Sequence, residues 1–222
     1  MLFRYLTLPS SEHARIYVIP NPVDTKKFRP IKPCYERRRN VGIVVRSLNY
    51  KYGVDIAVKA MYGLRGIELI IVGDGPLREY LKGIAEKAKL NVKFIHGGIH
   101  HEDLPVYYNE VGFFVAPSRT EAQGVAMCEA LACGTPAIAT KVGGIPEFVI
   151  HGYNGILVRP EPEELQKAII ALSKMSIENY CKMSQNAVQH ARTTFSDEIV
   201  IPKELKLLSK AIELYNRYGR TY

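Results

Sequence analysis

Glu121 and Glu129 stand eight residues apart in the stretch EAQGVAMCEALACG. On an α-helix, eight residues differ by about 80° in azimuth and roughly 12 Å in height. Two carboxylates so disposed do not share one metal ion or act as a close acid/base pair. They suit contact with two ends of an elongated ligand lying along a helix start. The pattern leaves structural readings open as well. Glu121 completes Ser118-x-x-Glu121, a capping box, and Thr120-x-x-Gln123 fits the same box. Glu129 reads equally as a surface helix residue.

Arg46 and Lys51 lie just after an apolar run and are of the type that neutralises a diphosphate. Glycines gather in comparable positions: Gly73-Asp74-Gly75-Pro76, Gly97-Gly98, Gly124 and Gly143-Gly144. Glycine lets the backbone approach a ligand and turn its N–H groups towards it, and a helix opening near Gly124 adds a dipole that favours anions. The implied chemistry is recognition of a nucleotide or phosphate. No Gly-x-Gly-x-x-Gly follows the first strand-like run, and no Gly-Lys-Ser/Thr occurs, so the two commonest nucleotide motifs are excluded.

The elements that must position these residues follow from hydrophobic pattern. Val41–Val45, Glu68–Val72, Val92–His96, Gly112–Ala116, Ala137–Thr140 and Gly155–Val158 are near-continuous in Val, Ile and Phe, as in strands covered on both faces. Helical segments alternate with them: Val54–Leu64, Pro76–Leu90, Glu102–Glu110, Gly124–Cys133 and Ile145–Ile150. That order predicts an α/β fold, a doubly wound parallel six-stranded Rossmann-like sheet, with a C-terminal helical tail. Residues 161–192 read as two helices, and a last helix, about Asp197 to Gly219, is expected to be interrupted or offset by Pro202. The expected organisation is a connector over 1–40, holding one strand-like piece at Arg15–Ile19, a nucleotide-binding domain over 41–175, and helices over 176–222. In such sheets ligands bind beyond the carboxyl ends of the strands, which is where Arg46, Lys51, Arg119, Lys141 and the glycines fall.

The chain has 222 residues, 47% of them apolar and 23% charged, which excludes disorder and coiled coil. No apolar run reaches the roughly 18 residues that span a bilayer, and the opening MLFRYLTL is too short for a signal peptide. Thirty Lys and Arg against 22 Asp and Glu leave a net charge of +8, which favours an anionic partner without choosing among nucleic acid, membrane and phosphate. The run Glu36-Arg37-Arg38-Arg39 reads as a solvated turn. Cys34, Cys128, Cys133 and Cys181 show no metal-type pairing and are too few for a disulfide framework, so a reducing, cytoplasmic setting is expected.

Taken together, Glu121-x7-Glu129 followed by Ala-Leu-Ala-Cys-Gly-Thr-Pro resembles the donor-binding half of a GT-B glycosyltransferase of the retaining family 4 type. Supporting pieces are Val18-Ile19-Pro20-Asn21-Pro22-Val23-Asp24, Ile71 to Pro76, Ala116-Pro117-Ser118, Gly143 to Glu147 and Asn154-Gly155, in the family's order between about Val18 and Leu172. The resemblance implies hexosyl transfer from a nucleotide-diphospho-sugar to an unknown acceptor, with retention and without metal or other cofactor. It implies that Arg46 and Lys51 neutralise the diphosphate, that Glu121 holds hydroxyls of the transferred sugar, and that Glu129 binds the ribose. Gly124, Val125 and Ala126 would meet sugar and phosphate through backbone amides, and Gly73 and Ile99 would line the donor site, Ile99 at the base.

Departures are local: Val45-Arg46 replaces Gly-Arg, Asn21-Pro22 replaces Asn-Gly, and Glu121-Ala122-Gln123-Gly124 replaces Glu-Gly-Phe-Gly, leaving sugar preference open. The connector-like stretch begins within 20 residues of Met1, so the expectation is a donor half only. Its acceptor domain would come from a partner chain or be cut away, and the open face suggests self-association or a partner. The alternative is a non-catalytic nucleotide-sugar-binding subunit. His96, His100, His101 and His151 are not assigned the family's catalytic histidine, which belongs to the first domain. Nucleic acid is not an expected partner, since that reading rests on charge alone, whereas peripheral membrane contact is compatible with the basic surface.

Overall fold

The structure, a computed structural model, describes residues 17–218. Six strands, β1 (Arg38–Val45), β2 (Glu68–Val72), β3 (Val92–Ile95), β4 (Val111–Ala116), β5 (Ala137–Thr140) and β6 (Gly155–Val158), form one sheet in the order β3-β2-β1-β4-β5-β6. Every pairing is parallel. The helices are α1 (Val54–Ala60), α2 (Arg78–Lys87), α3 (Leu104–Glu110), α4 (Val125–Ala132), α5 (Pro162–Ser173), α6 (Ile177–Thr194) and α7 (Asp197–Tyr218). All six residues of β4 are buried, because helices cover the sheet on both sides. Tyr108, Met127, Leu131 and Ala187 from α3, α4 and α6 fill one layer. Val54, Leu81, Leu165 and Ile169 from α1, α2 and α5 fill the other. Strand order reverses between β1 and β4, so their carboxyl ends diverge and leave a crevice.

Five expectations are corrected. In the Arg15–Ile19 piece, Arg15 and Ile16 lie outside the described residues, as does the opening MLFRYLTL, and residues 17–19 form no strand. Arg37 is not solvated. It is 5% exposed and donates to the Tyr108 carbonyl at 2.9 Å, Thr135 Oγ1 at 2.6 Å, Asn109 Oδ1 at 2.9 Å and the Cys133 carbonyl at 2.5 Å. Arg37 directly precedes β1, and it is these four bonds to α3 and to the turn after α4 that hold it inside. The Ile145–Ile150 segment makes only a single 3-10 turn, Ile145–Glu147, because so short a run between glycines does not sustain an α-helical nucleus. Pro202 lies within one continuous α7; Pro202 and Glu198, whose carbonyl loses its N–H partner, are both exposed residues, so the lost bond costs little there. Finally, Cys34 and Cys181 are joined in a disulfide, with Cα atoms 5.4 Å apart across 147 residues. That separation is why spacing concealed the pair. Cys128 and Cys133 are free and buried.

Candidate active site

The crevice is built from the loops leaving β1, β2, β3 and β4. At the end of β1, Arg46 pairs with Glu121 from the loop after β4, Nη2 facing Oε2. Both side chains are largely shielded, at 18% and 12% exposure. Burial pushes the Arg46 guanidinium below its ordinary value. Tyr52 forms a shelf under the cations: the Arg46 guanidinium lies 4.4 Å and Lys51 Nζ 4.8 Å from its ring centre. Lys51 itself is exposed at the rim.

Glycine is required where backbones cross. Gly73 has φ 143°, and a Cβ there would lie 1.9 Å from the Arg46 carbonyl oxygen. Gly143 and Gly144 press on the Glu121 loop in the same way: added Cβ atoms would come within 2.0 Å of the Glu121 carbonyl oxygen and 1.9 Å of that of Ala122. The Gly144 N–H donates to the Glu121 carbonyl at 3.0 Å. The glycine pair therefore fixes the height of the Glu121 loop above the sheet.

Glu121 is outside the helix. Gly124, at φ 78°, is the N-cap of α4, and no side chain caps it. The capping boxes are thus not realised, and the helical azimuth argument does not apply to Glu121, whose Oε1 instead accepts from the Ala122 N–H at 3.0 Å. The reason is local: Gly124 takes the left-handed conformation, which starts the helix only at Val125. Val125 and Ala126 occupy the first turn, where backbone N–H groups face outward.

Glu129 lies on α4 and is buried, not a surface residue. Its Oε1 is 2.7 Å from His101 Nε2, and its Oε2 accepts from the Tyr108 hydroxyl at 3.3 Å. Burial, then the charge of Glu129, raises the Tyr108 phenol well above its ordinary value, so it stays a donor. Arg46, Tyr52, Gly73 and Ile99 line one cavity of about 390 Å³. A larger groove of about 980 Å³ lies elsewhere, between β6, α5 and α6, and contains none of the expected site residues.

Three further side chains escaped sequence reasoning. Tyr52 was signalled only by its place between Lys51 and Gly53. His101 stands beside His100 after β3, and nothing in that spacing marks its contact with Glu129. Gln123, which stands where the family pattern has an aromatic residue, accepts from the Asn21 N–H at 2.6 Å and donates to the Asn21 carbonyl at 2.9 Å, tying the connector to the mouth of α4. Among the described residues, no group of three or more His, Cys, Asp and Glu is arranged to hold a metal ion. No described helix is long and apolar enough to cross a membrane.

Residues 26–190 match the family model for glycosyl transferases group 1. The GDP-mannose-dependent alpha-(1-6)-phosphatidylinositol monomannoside mannosyltransferase of Mycobacterium tuberculosis is 32% identical over 166 residues, covering 65% of this chain and 43% of that protein. Sucrose-phosphate synthase from Thermosynechococcus elongatus is similar in structure, with a TM-score of 0.82 at 27% identity over 96% of this chain and 55% of that one. Anabaena HepE, solved with UDP and glucose, is similar in fold, with a TM-score of 0.78 at 24% identity over 87% of this chain and 57% of that one. The chain spans less than half the length of the curated relatives it matches.

Proposed function

The chain belongs to the group 1 glycosyl transferases, its fold being the Rossmann-like half of the GT-B type, and from that premise we propose that it binds a nucleotide-diphospho-sugar for hexosyl transfer to an acceptor with retention. The observation that carries this reading is the shielded Arg46–Glu121 pair beside the uncapped start of α4, in the crevice where strand order reverses. Isolated charges are costly to bury, and this pair stands where a ligand with both an anionic and a hydroxylated part would separate its members.

In this reading the diphosphate takes Arg46 from Glu121. Arg46, Lys51 and the amides of Gly124, Val125 and Ala126 then face the phosphates, while Glu121 is released to accept from sugar hydroxyls. Ile99 and Gly73 border the base, and Glu129 accepts from the ribose. When the bond between the anomeric carbon and the diphosphate oxygen breaks, its electron pair leaves with the nucleoside diphosphate. The developing charge falls among groups already oriented to receive it, which is the main electrostatic contribution to such a step. Two cationic side chains take this part in the proposal, with no metal or other cofactor. That Anabaena HepE was solved with UDP supports a nucleoside diphosphate as the common element.

The acceptor groups come from beyond the unit described, in the same polypeptide or in another chain. A second reading is a nucleotide-sugar-binding module without catalysis of its own. Transfer measured with and without acceptor-domain chains separates the two. The Cys34–Cys181 bond removes the ground for assigning a reducing compartment.

Isothermal titration of the chain with UDP, GDP and ADP tests the donor site. The expected result is micromolar binding of one nucleotide, at least tenfold weaker in Arg46→Ala and Glu129→Ala, a loss of about 1.4 kcal/mol. Absence of binding to all three, or affinity untouched by both substitutions, overturns the proposal.

A further inference from the structure

A line of side chains behind Glu129 has no part in the donor reading. The Glu129 carboxylate is 7% exposed and pairs with His101 rather than with a lysine or arginine. His101 Nδ1 lies 3.0 Å from Lys27 Nζ, and Lys27 Nζ donates to Glu102 Oε1 at 2.5 Å. An ammonium group has only protons to give, so Nδ1 is the acceptor in that contact. The ring proton therefore sits on Nε2, pointing at Glu129 Oε1. Phe28 fixes the ring from the side, with centroids 5.1 Å apart, and Lys27 lies 5.4 Å from the Phe28 ring centre. The groups around the imidazole are thus Lys27, Glu102, Phe28 and Glu129.

An ionised carboxylate offers about four acceptor positions. His101 takes one on Oε1 and Tyr108 takes one on Oε2, leaving one on each oxygen. Two acceptors side by side match a vicinal diol. We propose that His101 is a positioning residue for ribose recognition: it holds Glu129 in the single orientation that presents one free acceptor to each ribose hydroxyl, and Lys27, anchored by Glu102, sets the histidine tautomer that makes this possible. The gain is preorganisation, since a carboxylate already locked has less freedom to lose when the diol arrives. The inference rests on the reading of Glu129 as the ribose carboxylate.

The test compares the nucleoside diphosphate that binds best among UDP, GDP and ADP with its 2′-deoxy and 3′-deoxy forms, titrated into the wild type, His101→Ala, His101→Gln, Lys27→Met and Glu129→Gln. Circular dichroism establishes that each variant is folded. His101→Ala is expected to weaken the ribonucleotide about tenfold while leaving the deoxy forms near their wild-type affinity, so that the preference for the diol narrows. His101→Gln, whose amide can still donate to Glu129, is expected to restore most of it, and Lys27→Met to lose part. If Glu129→Gln abolishes the preference and His101→Ala leaves it intact, or weakens ribo and deoxy forms equally, His101 has no positioning role and the donor reading stands. If the wild type shows no preference for the diol, or Glu129→Gln leaves it unchanged, the ribose role of Glu129 falls and this inference falls with it.

Discussion

Gly73 shows how one residue can decide whether the crevice forms. Its φ of 143° is strained for any L side chain, and the missing Cβ is what admits the Arg46 carbonyl. Gly73→Ala should destabilise the fold by roughly 1–3 kcal/mol and weaken nucleoside diphosphate binding, because relief of the clash shifts the backbone that carries Arg46. Urea midpoints and titration on the same sample check both effects; wild-type values in each would mean that the β1 and β2 exits do not depend on this contact. Gly73 was legible as a turn glycine from Gly-Asp-Gly-Pro alone. That its partner is the backbone of Arg46 was not, because local sequence carries no record of which strand lies alongside.

Between elements, Arg119 and Asp55 fasten the exits of β1 and β4 to each other. Arg119 leaves β4 and grips the carboxylate on α1 with two hydrogen bonds, 2.7 and 2.8 Å, while its guanidinium stacks 3.9 Å from the Tyr50 ring centre. The Arg119 backbone N–H also donates to the Lys51 carbonyl at 2.9 Å. The two loops that carry Arg46, Lys51 and Glu121 are thereby held as one body. Burial alone would raise the Asp55 carboxyl, but the hydrogen bonds and charge of Arg119, joined by those of Lys59 one turn on, outweigh it and hold the group below the usual carboxylate range. A depressed folded value means stability that is present above the usual range and lost as pH falls through the lower, folded one. Asp55→Asn is therefore expected to cost roughly 1.5–3 kcal/mol near neutrality and to flatten the acid limb of the stability curve. Chemical denaturation of both proteins from pH 7 down to pH 3 checks this, and parallel curves would refute it.

At the scale of the whole molecule, the Cys34–Cys181 bond joins the turn that precedes β1 to α6 and encloses the entire sheet. Closing so long a loop restrains the unfolded chain, so reduction should lower stability by roughly 2–4 kcal/mol. Urea midpoints with and without reductant, beside thiol titration rising from two groups to four, measure it. Cys34→Ser should sit at the reduced midpoint and ignore reductant; a wild-type midpoint unmoved by reductant would show that α6 and the turn hold together without the bond.

The sequence by itself determined the parallel sheet, since buried strands read as unbroken apolar runs and the helices between them leave only crossover connections. It also placed the unusual residues at the carboxyl ends of those strands, and the motif from Glu121 to Pro136 carried the family. What tertiary structure decided was who meets whom: Arg46 with Glu121, Glu129 with His101, Gln123 with the Asn21 backbone, Arg37 with the Cys133 carbonyl, Cys34 with Cys181. Hydrophobic period reports which face of a segment is buried, a property of neighbours within a turn or two. Pairing across loops depends on strand order and on the height at which each loop leaves the sheet, and these are set by the packing of segments far apart in the chain.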